Sequence, residues 1–87
     1  MLVRYHRTFN KKFIKLTSKL QQKFRERRNL FLFNPHHPLL GNHALGGNRD
    51  REWSINITGD YRALYEFEKE DTIVFIDIDT HNKLYGK

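Results

Sequence analysis

Apolar positions recur along the chain with two different periods. Phe9, Phe13, Leu16, Leu20 and Phe24 are spaced by three and four residues, the stripe of a helix with one buried side. From Trp53 the period becomes two: Trp53, Ile55 and Ile57 point inward, Ser54 and Asn56 outward, as in a half-buried strand. Tyr61, Ala63, Tyr65 and Phe67 then alternate with Asp60, Arg62, Leu64 and Glu66. The next run, Thr72 to Ile78, is apolar on both faces, as expected of an interior strand. Lys69-Glu70-Asp71 separates the last two runs and reads as the turn of an antiparallel hairpin.

The remaining elements follow from local signals. Leu2 to Arg7 is a first strand, and Thr8 is placed to cap a helix. Thr17-Ser18 breaks the apolar stripe into a helical hairpin, with Ser18 and Gln21 at capping-box spacing. A second helix from about Lys19 to Phe33 stops before Asn34-Pro35. Residues 34–51 carry prolines and glycines and read as loop, with a short edge strand at Asn42 to Leu45. Thr58-Gly59 turns the chain into the hairpin, and Asn82 to Lys87 is a short tail. The order predicts one α+β domain spanning residues 1–87, β-α-α-β-β-β. Two N-terminal helices cover one face of a small, four-stranded, largely antiparallel sheet. The other face stays partly open, and polar residues collect there.

Size and composition narrow the possibilities. A chain of 87 residues supports one thin core. It has no cysteine, which excludes a disulfide framework and a thiolate metal site. No apolar run approaches the roughly 20 residues that span a bilayer, and the N-terminus lacks the apolar core of a secretory signal. A cytoplasmic location without membrane contact is expected, so Asn56-Ile57-Thr58 is a chance match to a glycosylation acceptor. Charge is unevenly spread. Residues 1–40 hold ten Lys/Arg against Glu26 alone, while residues 41–87 hold six against nine acids. Such a basic half is a common footprint of nucleic acid or of an acidic protein partner. A merely solvated helix surface is the alternative. The cations in question are Lys11, Lys12, Lys15, Lys19, Lys23, Arg27 and Arg28 on the helices, with Lys83 in the tail.

The candidate chemistry lies at one end of the sheet. In an antiparallel pair the start of one strand lies beside the end of the other. Asp60 and Arg62 start the first strand of the hairpin, and Asp79-Thr80-His81 end the second, so these groups converge. His43 lies in the glycine-flanked edge segment, and Tyr85 follows His81. Of the five histidines, His6 reads as structural and His36-His37 as a solvated pair. His43 and His81, at element ends, are placed to carry protons near neutral pH. His36, His37, His43 and Asp79 lack the spacing of a metal site, so no metal or other cofactor is expected. Two histidines, an Asp, an Arg and a Tyr on a basic protein suit RNA cleavage. That reaction deprotonates a ribose 2′-hydroxyl, stabilises phosphate charge and protonates the leaving 5′-oxygen. Each residue alone also has a structural reading: a satisfied histidine, an Arg62–Asp60 ion pair, a packed aromatic at Tyr85 or Trp53.

Taken in order, His43-Ala44-Leu45, Trp53-Ser54-Ile55-Asn56-Ile57, Gly59-Asp60-Tyr61-Arg62-Ala63-Leu64-Tyr65 and Asp79-Thr80-His81-Asn82-Lys83-Leu84-Tyr85 resemble the RelE/ParE superfamily of bacterial type II toxin–antitoxin toxins. The likeness is to its YafQ-like mRNA interferase branch and covers nearly the whole chain. The resemblance implies a metal-independent, ribosome-dependent endoribonuclease that cuts translated mRNA. It also implies a cognate antitoxin, with the toxin a monomer or part of a toxin–antitoxin hetero-oligomer. Carried over by position, His43 and His81 are the proton carriers, Asp60 the strand carboxylate that orients or assists, and Arg62 the phosphate-holding arginine. Lys83 assists Arg62, and Tyr85 is the terminal aromatic. The chain departs from the pattern at Asn56, where YafQ-like toxins can carry a further histidine. The rival expectations are a ParE-like poison of DNA gyrase and a non-catalytic basic RNA-binding domain.

Overall fold

The computed structural model describes residues 1–86. Strand β1 (Leu2–Tyr5) leads into helices α1 (Arg7–Phe13) and α2 (Ser18–Phe33). Then come the two-residue strand β2 (His43–Ala44), β3 (Trp53–Asn56), β4 (Tyr61–Lys69), β5 (Thr72–Thr80) and a short helix α3 (His81–Tyr85). The strands form one sheet in the order β1-β5-β4-β3-β2. The short edge strand expected around His43 forms and pairs with β3, which brings the sheet to five strands instead of the four counted from the element order. It is mixed: β1 runs parallel to β5, and the other pairs are antiparallel. No helix among the described residues is long and apolar enough to cross a membrane.

The helix boundaries show which polar groups win the capping positions. His6, not Thr8, caps α1: its Nδ1 accepts from Thr8 N at 3.0 Å. The first strand accordingly stops at Tyr5 rather than Arg7. Thr17 rather than Ser18 caps α2, with Oγ1 accepting from Leu20 N at 3.2 Å. Gln21 forms no capping box; its amide bridges the helices by donating to the Phe13 and Leu16 carbonyls. His37 is likewise a cap and not simply solvated, since its Nδ1 accepts from Leu39 N at the start of the turn Pro38–Leu40.

Phe9, Phe24, Phe31, Leu40, Ile55, Ala63, Tyr65, Ile73, Phe75 and Ile78 are buried together. Phe75 gathers the rings of Phe9 and Phe24 at 5.8 and 5.1 Å, and Phe31 stands 5.0 Å from Tyr65. Tyr65 is buried and donates to Asn42 Oδ1 at 2.8 Å; burial pushes its phenol up to about 12.

A bulge explains why β5 looks apolar on both faces. Leu64 pairs with Asp77 and Tyr65 with Phe75, so Ile76 is an extra residue. With strict alternation Phe75, Asp77 and Asp79 would share a face. The bulge shifts the parity, keeps both Phe75 and Ile78 in the core, and turns Asp77 and Asp79 to the opposite face beside Leu64 and Arg62. That opposite face carries the candidate site.

Candidate active site

Register fixes which side chains share this face. Ile55, Ala63 and Ile78 belong to the core, so their neighbours Ser54, Asn56, Arg62, Leu64 and Asp79 project the other way. Arg62 stands opposite Asp79 on β5 and Asn56 on β3, and His43 on β2 stands opposite Ser54. Directly paired residues put their side chains on the same side of a sheet. His43, Ser54, Asn56, Arg62 and Asp79 therefore form a polar row across it.

α3 closes over the row. Thr80 caps it through Oγ1, which accepts from Lys83 N at 3.3 Å, and Gly86 ends it in the left-handed region at φ 76°. His81 N donates to the Asp60 carbonyl at 2.8 Å, tying the helix to the start of β4. Leu84 is buried. Tyr85 reaches across the sheet, and its hydroxyl donates to Ser54 Oγ at 2.9 Å. The His81 ring packs edge-on against Tyr85, with centroids 4.5 Å apart. Thus β2, β3 and α3, three separate stretches of sequence, are joined through Ser54 and Tyr85.

The individual groups are poised differently. His43 is exposed, and its Nδ1 lies 2.8 Å from the Gly41 carbonyl. A carbonyl only accepts, so Nδ1 carries the proton and Nε2 faces outward with a free lone pair in the neutral ring. Arg62 is half-buried, and its Nη1 donates to the carbonyls of Thr58, Gly59 and Tyr61 at 3.0, 3.3 and 3.1 Å. Its Nε and Nη2 make no hydrogen bond among the described residues. The Asp60 side chain is exposed and makes no ion pair with Arg62 among the described residues. The Asn56 amide sits against Gly41 in the loop before β2.

Two clefts border the row. One of about 270 Å³ is lined by His6, Arg49, Glu52, Leu64 and Asp77 among others. The other, about 490 Å³, lies between the turn at Gly47–Arg49 and α3, with Asn48, Arg49, Lys83 and Tyr85 on its walls. Burial pushes the Glu52 carboxyl above the usual range; Arg49 opposes this, and the charges of Glu66 and Asp77 add to it. The Arg49 guanidinium stands 3.6 Å from the Glu52 carboxylate.

With this geometry in view, similarity to known proteins decides the family. A sequence model described as the ParE toxin of type II toxin–antitoxin systems, parDE, matches residues 3–85. The chain belongs to the ParE toxin family. It is thus a toxin of the RelE/ParE superfamily. No curated protein matches the sequence. Among solved structures, the chain is similar to YafQ from E. coli strain BL21(DE3), with a TM-score of 0.78, 20% identity and 97% of each chain covered. It is similar to the YoeB/ParE toxin from Agrobacterium tumefaciens, at 0.77 and 16%, over 93% of this chain and 99% of that one. The E. coli DinJ-YafQ toxin-antitoxin complex matches at 0.75 and 20%, over 97% and 96%. At these identities the likeness is one of fold.

The cations of this ParE-family toxin fall into two groups. Lys11, Lys15 and Lys19 are exposed and make no ion pair among the described residues. Lys23 pairs with Glu26 at 3.5 Å, Arg27 donates to the Leu39 carbonyl, and Arg28 donates to Tyr5 Oη. Lys12 is bound more firmly, bridging Asp77 at 2.8 Å and Asp79 at 3.2 Å. Lys83 is exposed on α3 beside the larger cleft. Sequence reasoning passed over two residues. Ser54 reads as a solvent-facing position, yet it is fully buried beneath Tyr85. Its signal is the four-residue spacing of His81 and Tyr85, one helical turn, which brings the tail back over the sheet. Arg49, in the loop, lines both clefts, and nothing local in the sequence marks it.

Proposed function

We propose that this toxin is an mRNA endoribonuclease of the YafQ-like kind, acting on ribosome-bound message without a metal. The observation that carries the reading is the Tyr85–Ser54 hydrogen bond. Through it the His81 helix is fastened to the strand that lies beside His43, on the face that also bears Arg62.

In the proposed reaction one histidine removes the proton from a ribose 2′-hydroxyl. The 2′-oxygen attacks the adjacent phosphorus, forming a new P–O bond while the bond to the 5′-oxygen breaks. The second histidine donates its proton to that leaving oxygen. The products are a 2′,3′-cyclic phosphate and a free 5′-hydroxyl. Each positioned proton carrier contributes about 10²–10⁴-fold. His43, with Nε2 presented as a lone pair, suits the base, and His81 the acid. Arg62 and Lys83 hold the phosphate charge as it develops. Asp60, whose carbonyl receives His81 N, keeps α3 in register with β4, and Tyr85 limits the rotation of the His81 ring. Lys11, Lys15, Lys19, Lys23, Arg27 and Arg28 grip ribosomal RNA. The cognate partner is an antitoxin, as the E. coli DinJ-YafQ toxin-antitoxin complex supports, and an acidic segment folding against the toxin suits the basic half of the chain.

His81→Ala tests the reading directly. The variant is expected to abolish mRNA cleavage in a translation extract while its circular dichroism stays that of the parent. Undiminished cleavage overturns the assignment. Loss of DNA supercoiling activity of gyrase in the presence of the toxin, with message intact, favours the gyrase-poison reading instead.

A further inference from the structure

Arg62 and Asp79 occupy directly opposed positions on β4 and β5. In such a pair the Cβ atoms lie about 4.5–5.5 Å apart, and an arginine facing a carboxylate ordinarily closes a bidentate ion pair. Here it does not. The Asp79 carboxylate is occupied on both oxygens: Oδ1 accepts from Thr80 N at 2.8 Å, and Oδ2 from Lys12 Nζ at 3.2 Å. The same ammonium lies 2.8 Å from Asp77 Oδ1. Arg62 turns the other way, onto the carbonyls of Thr58, Gly59 and Tyr61, all neutral acceptors. Lys12 reaches both aspartates because residues two apart on a strand share a face; the bulge at Ile76 turns that shared face away from the core.

We infer that Lys12 is a positioning residue: by holding Asp77 and Asp79 it keeps Asp79 from capturing Arg62, and so leaves the Arg62 guanidinium open to a phosphate group. The inference rests on Arg62 as the phosphate-holding group and assigns Lys12 a role other than contact with RNA. The chemistry is simple competition. A phosphodiester and a carboxylate want the same planar donors, and the carboxylate is tethered beside them. Neutralising it from α1 removes the tethered competitor. The state of Lys12 agrees with this. Burial alone lowers its affinity for the proton, but hydrogen bonds and charge from Asp77 and Asp79 outweigh that and hold its pKa above the ordinary value. The ammonium therefore stays charged throughout the physiological range.

The test follows the binding of inorganic phosphate to the purified toxin by isothermal titration calorimetry, with the NMR signal of the Arg62 Nε–H group as the local reporter in every variant that keeps Arg62. Lys12→Met is expected to weaken phosphate binding at Arg62 about fivefold to tenfold, as a freed carboxylate a few ångströms away requires. Lys12→Met/Asp79→Asn is expected to bind within about twofold of the parent. Lys12→Arg retains the bridge and behaves as the parent. If Lys12→Met folds poorly, Asp79→Asn alone decides, since it leaves Lys12 in place and is expected to bind phosphate at least as well as the parent. Binding that stays weak in the double variant overturns the inference, because Lys12 then acts through its own charge. Parental binding by Lys12→Met overturns it too. Arg62→Ala separates this inference from the reading beneath it. If Arg62→Ala loses phosphate binding while the Lys12 series shows no change, only the gating role fails. If Arg62→Ala binds normally, Arg62 is not the phosphate group and both fail.

Discussion

Gly41 carries two constraints at once. Its φ is +51°, and a Cβ built there lies 2.5 Å from Asn56 Nδ2. The left-handed backbone alone disfavours alanine by about 1–2 kcal/mol; the contact with a side-chain amide adds less, because Asn56 can swing away. Gly41→Ala is therefore expected to lower the unfolding free energy by about 1–2 kcal/mol in a urea titration. Gly41→Ala/Asn56→Ala should recover only the smaller, steric share. Recovery of the whole loss would show that the backbone angle is unimportant. The pair also explains the departure at position 56. The loop that Asn56 supports supplies the carbonyl that holds His43 Nδ1. In this chain that position shapes the setting of His43, the proposed proton carrier, and its own amide has no titratable proton near neutral pH. The types of the candidate residues were legible in the sequence at His43, Arg62 and His81. Their individual states were not, because a tautomer or a choice of acceptor depends on a neighbour distant in the chain.

At the scale of elements, periodicity identified the strands and helices wherever one face is buried. Trp53 to Asn56 and Tyr61 to Phe67 are strands as read, although Ser54 and Leu64 on the second face are also buried and Phe67 is exposed, and α2 ends at Phe33. Three features escaped it. Capping by His6 and His37 is invisible to a search for Ser, Thr, Asp and Asn. The β5 bulge mimics an unbroken apolar strand. The five-residue α3 is too short to show a period. Its place depends on a long-range contact, Tyr85 with Ser54, rather than on helix propensity, since so short a helix is marginal alone. Ser54→Ala tests this. Removing a hydrogen-bond acceptor in a buried setting costs about 1 kcal/mol, enough to loosen α3 without unfolding the sheet. Amide exchange should accelerate in residues 81–85 and stay unchanged in β4 and β5, while message cleavage falls. Uniform acceleration would assign Ser54 to the core instead of the site.

Across the whole molecule the charge asymmetry acquires a geometry. The basic half of the sequence supplies β1, α1 and α2, and the acidic half supplies the rest of the sheet with its candidate site. Yet the basic surface is smaller than the residue count suggests. Lys12 and Lys23 are held in ion pairs, and Arg27 and Arg28 are committed to local hydrogen bonds. Lys11, Lys15 and Lys19, without ion pairs among the described residues, remain the cations best able to release counterions from an RNA backbone. For single-stranded nucleic acid each neutralised phosphate contributes about −0.7 to the slope of log affinity against log salt. Replacing Lys11, Lys15 and Lys19 together by alanine should therefore reduce the magnitude of that slope by about 2. The measurement is fluorescence anisotropy of an RNA oligonucleotide across a salt series, using a His81→Ala background to keep the probe intact. Replacing Lys23, Arg27 and Arg28 instead should change the slope by less than half as much, since those groups are already engaged. Equal effects from the two triples would mean that the local partners give way to RNA, and that the whole basic half acts as one surface.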